Sequence, residues 1–346
     1  MKRAVFASCS QEVNAWQLGS RGERLTTGPA QCRCPGPGAK EGAFRPTAAP
    51  FGPKCTRAAG APRRYAGNAR VRRRGRAPDA EVVMVLLALM QANAAVLDVE
   101  ANCAAVDAAA GEAAAAGAGL LLTPELFPVG YAPLRLRAEF DPAALPAIRH
   151  ALAGIARNHG IALVFSLPAV TAAGEWQITS TLLDENGDEL LSYAKVHLFG
   201  PAENQAFVPA RARPRVVDFR GFKISMVICY DVEFPEAVRA AAAAGAELLL
   251  VPTALAAGFE SVPQLLVRAR ALENHVTVAY ANHSGTEDGC DFLGGSVIAA
   301  PDGSLLASAG TAAQLLFAEL PAPGRAGHSV DYLGDRRPQT YRSWGS

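Results

Sequence analysis

The chain has 346 residues, of which 50% are hydrophobic and 19% charged, and this composition excludes a wholly disordered or collagen-like protein. Its formal net charge of +1 joins two parts of opposite sign. Residues 1–83 carry 16 Lys and Arg against 5 Asp and Glu, whereas residues 84–346 carry 17 against 27. The two parts therefore differ in the sign of the charged partners that they could attract.

Residues 1–83 form a basic leader rich in Gly, Pro and Arg, without helical or strand periodicity. An arm that binds nucleic acid, a targeting peptide and a metal site at Cys32 and Cys34 are three functional interpretations. The lack of interleaved aromatic residues counts against nucleic-acid binding. The many Gly and Pro residues interrupt the amphipathic helix of a targeting peptide, and the wide cysteine spacing does not fit a metal site. A disordered leader, or a start of translation at Met84 that removes it, is favoured.

The spacing of the cysteines and the hydropathy of the chain indicate where the protein is located in the cell. Seven cysteines scattered over a chain of this length do not resemble a disulfide framework. The start of the chain lacks the apolar run of a secretory signal. The longest uncharged apolar stretch, Val82–Met90, is far shorter than the roughly 20 residues of a membrane helix. We therefore predict a cytoplasmic protein that does not enter a membrane.

From Val82 onward, apolar strands alternate with Ala-rich helices, which predicts one mixed α/β domain over residues 84–346. The predicted strands are Val82–Met90, Leu120–Thr123, Ile161–Leu167, Trp176–Leu183, Glu189–Tyr193, Val216–Phe219, Phe222–Cys229, Glu247–Pro252, Val276–Ala281, Gly294–Ala299 and Ser304–Ser308. The predicted helices are Val99–Ala118, Pro142–Asn158 with Gly160 as its C-cap, one beginning near Pro235, and Ser261–Asn274.

Three polar residues, Glu125, Lys195 and Cys229, lie where predicted strands end. Taken singly, they are typical of a turn carboxylate, a surface lysine and a core cysteine. Together they supply a nucleophile, a base and a cation for an oxyanion. The helix start near Pro235 is expected to lower the pKa of the Cys229 thiol. The combination predicts nucleophilic catalysis.

The sequence around these residues resembles the nitrilase superfamily of carbon–nitrogen hydrolases. The motifs are TPELFPVGY around Glu125, YAKVHLFGPAENQAF around Lys195 and ICYDVEFPEAVRAAA around Cys229. Further similarity lies in VPTA, RARALENHVTVAYAN and DYLGDRRPQTY. The resemblance extends over residues 84–341 and excludes the leader.

The resemblance implies a four-layer α-β-β-α sandwich of the nitrilase type. It also implies a homodimer, or a higher homo-oligomer, in which two sandwiches stack and a C-terminal tail, here including Asp335-Arg336-Arg337, crosses to the partner. Neither a metal nor an organic cofactor is expected. The expected partner is a small-molecule amide substrate, and nucleic acid is not expected as a partner of the domain.

The resemblance also implies roles for the site residues. Glu125 would act as general base and acid, Lys195 would stabilise the oxyanion, and Cys229 would be the nucleophile. Glu203 in PAENQAF corresponds to a second family glutamate that positions substrate or orients the lysine. The backbone N–H of Tyr230 would complete the oxyanion hole.

The substrate class follows from weaker signals. Tyr230-Asp231 after the nucleophile is typical of amidases and carbamoylases, whereas nitrilases tend to carry Trp-Glu there. The DRRPxxY ending resembles aliphatic and stereoselective amidases. Tyr131, Phe199 and Phe259 are candidate substrate contacts. The sequence thus predicts hydrolysis of a small amide, with release of ammonia through a thioester.

Three alternatives remain open. An N-carbamoyl amino acid amidohydrolase needs a cation for the substrate carboxylate, and Arg135, Arg137 and Arg268 are equal candidates. A nitrilase is the second alternative, and a nucleic-acid-binding module that acts through the leader is the third. His197 lies two residues after Lys195 and suggests a catalytic imidazole, but its place in the family pattern is structural.

Overall fold

The computed structural model describes residues 85–321 and 330–344, so every interpretation of the leader lies outside the described residues. Two six-stranded sheets dominate this part of the chain. The first has the order β14 (Gln314–Glu319), β1 (Leu86–Gln91), β2 (Leu120–Leu122), β3 (Ala162–Val170), β4 (Trp176–Leu183) and β5 (Glu189–Ala194). The second has the order β13 (Leu305–Ser308), β12 (Val297–Ala299), β9 (Thr277–Asn282), β8 (Leu248–Thr253), β7 (Phe222–Met226) and β6 (Val217–Phe219). A hairpin of β10 (Ser284–Glu287) and β11 (Cys290–Leu293) forms a third, two-stranded unit.

Each sheet has a parallel centre and antiparallel edges. Strands β1, β2 and β3 run parallel, as do β7, β8 and β9, while the outer strands pair antiparallel with them. Parallel strands need crossover connections, and helices in these connections cover the sheets. The carboxyl ends of the central strands therefore meet at one edge of each sheet, which is where polar side chains can converge.

Helices form the two outer layers. Two of them pack together over the first sheet, and two others pack together over the second. The helices are α1 (Val99–Ala115), α2 (Pro133–Glu139), α3 (Leu145–His159), α4 (Gly200–Ala206), α5 (Pro235–Ala243), α6 (Val267–Asn274) and α7 (Pro338–Ser343), with the first pair being α1 and α3 and the second α5 and α6. Among the described residues, no helix combines the length and the apolar character needed to cross a membrane.

The two sheets pack face to face and enclose one hydrophobic core. Strand β1 lies against β9, and the Ser180 hydroxyl of β4 donates to the Met226 sulfur of β7 at 3.7 Å. Leu87 and Leu89 of β1 are fully buried, and burying such a side chain contributes about 1.5–3 kcal/mol. Helix, sheet, sheet and helix thus form four layers, which confirms the predicted α-β-β-α sandwich.

Several predicted boundaries are wrong, for local reasons. Helix α1 ends at Ala115 rather than Ala118, because the chain turns at Gly117 with φ +86°. Strand β7 ends at Met226, and Cys229 instead begins a 3₁₀ helix, Cys229–Glu233. Gly160 is confirmed as a left-handed C-cap at φ +62°. Six elements were not predicted from the sequence, namely α2, α4, α7, β10, β11 and β14.

Candidate active site

Glu125, Lys195 and Cys229 lie in loops or turns that follow β2, β5 and β7. The first two strands belong to one sheet and the third to the other, so the site forms where the ends of both sheets meet. A backbone hydrogen bond from the Glu125 N–H to the carbonyl of Thr253, at the end of β8, ties the two edges together at 3.2 Å. The sandwich thereby places three polar side chains at one point.

Lys195 is the centre of a buried ionic cluster. Its Nζ donates to Glu125 Oε1 at 2.8 Å and to Glu203 Oε1 at 2.7 Å, and its side chain is 0% exposed. Burial by itself lowers the pKa of a lysine, but the Glu125 and Glu203 carboxylates outweigh it and raise the pKa of Lys195 well above its usual value. The ammonium group therefore stays charged.

Glu125 is suited to exchange a proton near neutral pH. Burial raises its pKa to about 7, against the lowering effect of Lys195. Its Oε2 finds no nitrogen or oxygen donor among the described groups, while a hydrogen bond with the Cys229 thiol lowers the Glu125 pKa. One oxygen thus holds the lysine, and the other is available for the thiol proton.

Cys229 differs from the sequence expectation in its ionisation. Burial and the Glu125 carboxylate raise the pKa of its thiol well above the usual value, and Lys195 and the Ala254 backbone N–H offset this only in part. The expected lowering of the thiol pKa by the start of α5 is therefore wrong. Cys229 adopts a left-handed backbone with φ +47°, a strained conformation of the kind that concentrates at functional sites. The resting thiol is neutral and needs a base.

Glu203 joins three segments around the lysine. Besides the Lys195 ammonium, its carboxylate accepts the Tyr131 hydroxyl at 2.5 Å and the Phe199 N–H at 2.8 Å. Glu203 lies on the short helix α4 and is fully buried. Three donors hold this carboxylate in place beside the Lys195 ammonium. Tyr131, predicted as a substrate contact, also holds Glu203 in place.

A cavity of about 100 Å³ opens over the Cys229 thiol. The predicted contacts Tyr131, Phe199 and Phe259 and the predicted oxyanion residue Tyr230 all line it. The Phe199 ring meets Tyr230 and Phe259 edge-on, with centroids 5.3 and 5.9 Å apart. Within the described ranges, the Tyr230 N–H donates to no backbone carbonyl, so it is free to bind a substrate oxygen.

The cavity also contains residues that the sequence analysis did not single out. They are Glu233, Asp288, Cys290 and the residues of segments 132–134 and 254–256, together with Ala202 and Glu287. Glu233 stands in the nucleophile motif, four residues after Cys229, and could have been considered on that ground. The others come from loops, from the first turns of α2 and α4 and from the β10–β11 hairpin.

Asp231 fixes the turn that begins at Cys229. It is fully buried and accepts from the Tyr193 hydroxyl at 2.9 Å, the Ile228 N–H at 3.2 Å, and the His197 N–H and Nδ1 at 2.8 and 2.7 Å. The His197 ring stacks on Phe234 with centroids 3.9 Å apart. His197 therefore belongs to the frame around Cys229 rather than to the cavity wall.

A buried histidine holds the backbone of Glu125. His283 Nε2 is 2.6 Å from the Glu125 carbonyl oxygen, and Nδ1 is 2.6 Å from Glu287 Oε1. Burial lowers the His283 pKa, but Glu287 reverses this, and the net pKa is raised. Because both nitrogens face acceptors, both carry protons. Glu287 also accepts the Ala94 and Tyr131 N–H groups and so links Glu125 to the cavity wall.

The chain is similar to known proteins in sequence and in structure. The sequence profile of carbon–nitrogen hydrolases matches residues 86–325. A Pseudomonas protegens protein named "Hydrolase in pqqF 5'region" is 37% identical over 263 residues, which cover 74% of this chain and 90% of that protein.

Two solved structures extend the comparison. The crystal structure of an amidase from Nesterenkonia sp. matches with a TM-score of 0.72 and 48% identity, over 77% of this chain and 98% of the amidase. A mutant of the amidase from Nesterenkonia sp. AN1, with the same TM-score and identity over 75% of this chain and 97% of its own, bears the acetamide moiety of fluoroacetamide on its active-site cysteine.

Proposed function

Because the chain belongs to the carbon–nitrogen hydrolase family and is an amidase-like enzyme of the nitrilase superfamily, we propose that it hydrolyses small linear amides through a thioester on Cys229. Hydrolysis of an amide C–N bond is the activity that the named amidase relatives share. The observation that carries the proposal is the fully buried Glu125–Lys195–Glu203 cluster beside a thiol at the floor of a cavity.

In the first half of the reaction, Glu125 removes the thiol proton while the Cys229 sulfur attacks the amide carbon. The carbonyl π electrons move to oxygen, which becomes a tetrahedral oxyanion. The Lys195 ammonium and the Tyr230 N–H stabilise this charge, and removing one such donor typically costs about 10²–10³ in rate. Protonated Glu125 then gives its proton to the departing nitrogen, the C–N bond breaks, and ammonia leaves a thioester.

In the second half, water replaces ammonia in the cavity. Glu125 accepts a proton from water as its oxygen attacks the thioester carbon, and the same oxyanion contacts operate again. The C–S bond breaks, the thiolate takes the proton back from Glu125, and the carboxylic acid is released. Glu203 acts through Lys195, since its contacts are to the ammonium, Tyr131 and Phe199.

The lining of the cavity favours an amide over an N-carbamoyl amino acid. None of the described lining residues is Lys or Arg, so a substrate carboxylate would find no partner there. The three candidate cations are otherwise engaged: Arg135 with Glu139 and Asp288, Arg137 over the Trp176 ring, and Arg268 with the Gly303 carbonyl. Tyr230-Asp231 likewise favours an amide over a nitrile.

We also propose that the enzyme works in the cytoplasm as a homodimer. Cys103 and Cys229 of the described part are free cysteines, and the cytoplasm keeps thiols reduced. Leu265 and Leu272, seven residues apart beside and on α6, are 63% and 40% exposed. Tyr332 of the C-terminal segment stacks near this helix end on His275, with centroids 5.7 Å apart. Such a patch of exposed apolar side chains suits a protein–protein contact.

Ammonia release from the purified protein tests the proposed function. We expect turnover of aliphatic amides, with weaker or no turnover of N-carbamoyl amino acids and nitriles. Cys229→Ala should abolish ammonia release and keep the wild-type circular dichroism spectrum. The matched control is Cys290→Ala, which also removes a buried cavity thiol but should retain turnover. Ammonia release by Cys229→Ala, or a preference for nitriles, would refute the assignment.

A further inference from the structure

The mechanism leaves one carboxylate of the cavity without a role. Glu233 ends the 3₁₀ helix that Cys229 begins, and both side chains line the same cavity. The Glu233 side chain is half-buried, and within the described part of the chain it makes neither a hydrogen bond nor an ion pair. A partly desolvated carboxylate without a partner is costly to keep unless a ligand compensates it.

Nearby cations do not neutralise this carboxylate directly. Arg270 donates to the Glu233 backbone carbonyl at 2.7 Å and to the Val232 carbonyl at 3.1 Å, while its charge is paired with Glu273 at 3.1 Å. Arg270 therefore holds the backbone of the helix and leaves the Glu233 side chain to the cavity. The Lys195 ammonium is already bound by Glu125 and Glu203.

The other acidic residues of the cavity are paired. Glu287 is bound to His283, and Asp288 contacts Arg135 at 3.2 Å. The rest of the described lining is aliphatic or aromatic, apart from the site residues, and includes no lysine or arginine. The uncompensated charge that an entering substrate meets is thus the negative charge of Glu233.

We propose that Glu233 selects amides by the charge on their acyl chain, favouring a chain that ends in an ammonium group and rejecting one that ends in a carboxylate. The inference rests on the proposed amidase function and specifies its substrate class. An ammonium group replaces the partner that Glu233 lacks, whereas a carboxylate is repelled, and the half-buried position of Glu233 strengthens both effects relative to bulk water. Uncharged amides of similar length are intermediate.

The selection depends on pH. Burial raises the Glu233 pKa to about 7, against the lowering effects of Lys195 and Arg270. Glu233 is neutral below that pH and negative above it, so the discrimination grows as the pH rises. The titratable or charged groups of the cavity and of the elements packed against this helix are Glu125, Tyr131, Lys195, His197, Cys229, Tyr230, Asp231, Glu236, Arg239, Arg268, Arg270, Glu273, Tyr280, Glu287, Asp288 and Cys290.

The test compares kcat/KM for 4-aminobutanamide, pentanamide and glutaramate. Their amide groups are joined through equal methylene chains to an ammonium, a methyl and a carboxylate group. Both substrates need Glu125 as the base, so its protonation lowers both values of kcat/KM by the same factor. This factor cancels in the ratio of kcat/KM for the ammonium substrate to kcat/KM for the carboxylate substrate. We expect this ratio to rise about tenfold or more between about pH 5.5 and about pH 8.5 in the wild type.

Variants assign the effect to one residue. In Glu233→Gln the ratio at about pH 8.5 should fall about tenfold or more and become independent of pH. Glu233→Asp should keep the selection. Glu236→Gln removes an exposed carboxylate from the first turn of the next helix and should behave as wild type.

A ratio that stays constant with pH in the wild type, or that is unchanged in Glu233→Gln, overturns the inference while pentanamide hydrolysis leaves the proposed function standing. The wild-type pH series needs no variant, so a folding defect in Glu233→Gln does not remove the test. Absence of ammonia release from all three amides overturns the proposed function, and the inference with it.

Discussion

The Glu125 carboxyl group combines two opposed influences. Burial favours its neutral form, and the adjacent Lys195 ammonium favours the ionised form, which leaves a pKa of about 7. A base with such a pKa accepts a proton from the thiol and later returns it to the leaving nitrogen at neutral pH. The raised pKa of the Cys229 thiol fits this sequence of events, because the proton moves during attack rather than before it.

This ionisation predicts the pH profile of the reaction. Below about pH 7 Glu125 is protonated and cannot accept the thiol proton, so kcat/KM for an uncharged amide should fall about tenfold per pH unit. Above this pH it should level off. Glu125→Gln keeps an oxygen for Lys195 and should lower kcat by about 10²–10⁴.

Exposed Glu112→Gln on α1 serves as the control for the loss of a carboxylate. A kcat/KM that is constant between about pH 5 and about pH 8, or a Glu125→Gln enzyme with near wild-type kcat, would contradict the role of Glu125 as general base.

At the scale of the elements, the turn that begins at Cys229 is held by the neighbouring sheet. Asp231 connects β5, the loop with His197 and the end of the strand before the nucleophile. A buried carboxylate with four donors stabilises a structure strongly, and losing charge-assisted hydrogen bonds costs about 1.5–3 kcal/mol.

Asp231→Asn should therefore lower the free energy of unfolding by about 1.5–3 kcal/mol and reduce kcat/KM, because the turn no longer fixes the Cys229 sulfur. Urea unfolding and amide turnover measure the two effects. The matched change is Asp218→Asn, where the side chain is 79% exposed and pairs with Lys223 at the surface. It should cost less than about 1 kcal/mol. Equal costs for the two variants would show that Asp231 is not a structural anchor.

The elements also show what a sequence can predict. Strands with continuous apolar runs, the Asn186-Gly187 hairpin and the Gly160 cap carry local signals, and the structure has them near their predicted positions. Strand β14 pairs with β1 from the far end of the domain, and no local pattern indicates a partner so distant in sequence. Helices α2 and α4 have seven residues each, which is too short for a clear helical period.

The same distinction applies to the site. Each of the motifs around Glu125, Lys195 and Cys229 includes a reactive or charged side chain directly after a predicted strand. These residues could therefore be singled out from the sequence. His283 contacts the Glu125 carbonyl from 158 positions further along the chain, and Glu287 of the adjoining hairpin contacts His283. Only the fold brings these residues together. The direction of the Cys229 pKa shift depends on how deeply the thiol is buried and on how close Glu125 lies to it. Neither can be read from the linear sequence.

At the scale of the whole molecule, the site contacts described above all lie within the domain. They run from Ala94 to Glu287, the cavity lining ends at Cys290, and the family profile begins at residue 86. A chain that starts at Met84 should therefore keep kcat/KM for an amide within about twofold of the full chain. A large loss of turnover would show that residues 1–83 take part in the reaction.

The full chain and the Met84 chain also test the nucleic-acid alternative. A gel shift that only the full chain produces, and that weakens steeply with salt, would favour a binding role for the basic leader.

The exposed apolar residues beside α6 predict the oligomeric state. Light scattering should give twice the chain mass, and Leu272→Glu should shift the protein towards monomer because it introduces a charge into the contact. Val170→Glu alters a side chain that is 42% exposed at the end of β3 and should leave the dimer intact. A monomeric wild type, or dissociation by both variants alike, would contradict this interface.

The central claim is that an acyl group is carried on the Cys229 sulfur during turnover. Rapid acid quenching during hydrolysis of pentanamide, followed by mass spectrometry of peptides, detects this thioester directly. We expect a mass increase equal to the pentanoyl group on the Cys229 peptide, absent in Cys229→Ala and discharged by further incubation before quenching. Ammonia release without any acylated peptide, or acylation that persists in Cys229→Ala, would contradict it.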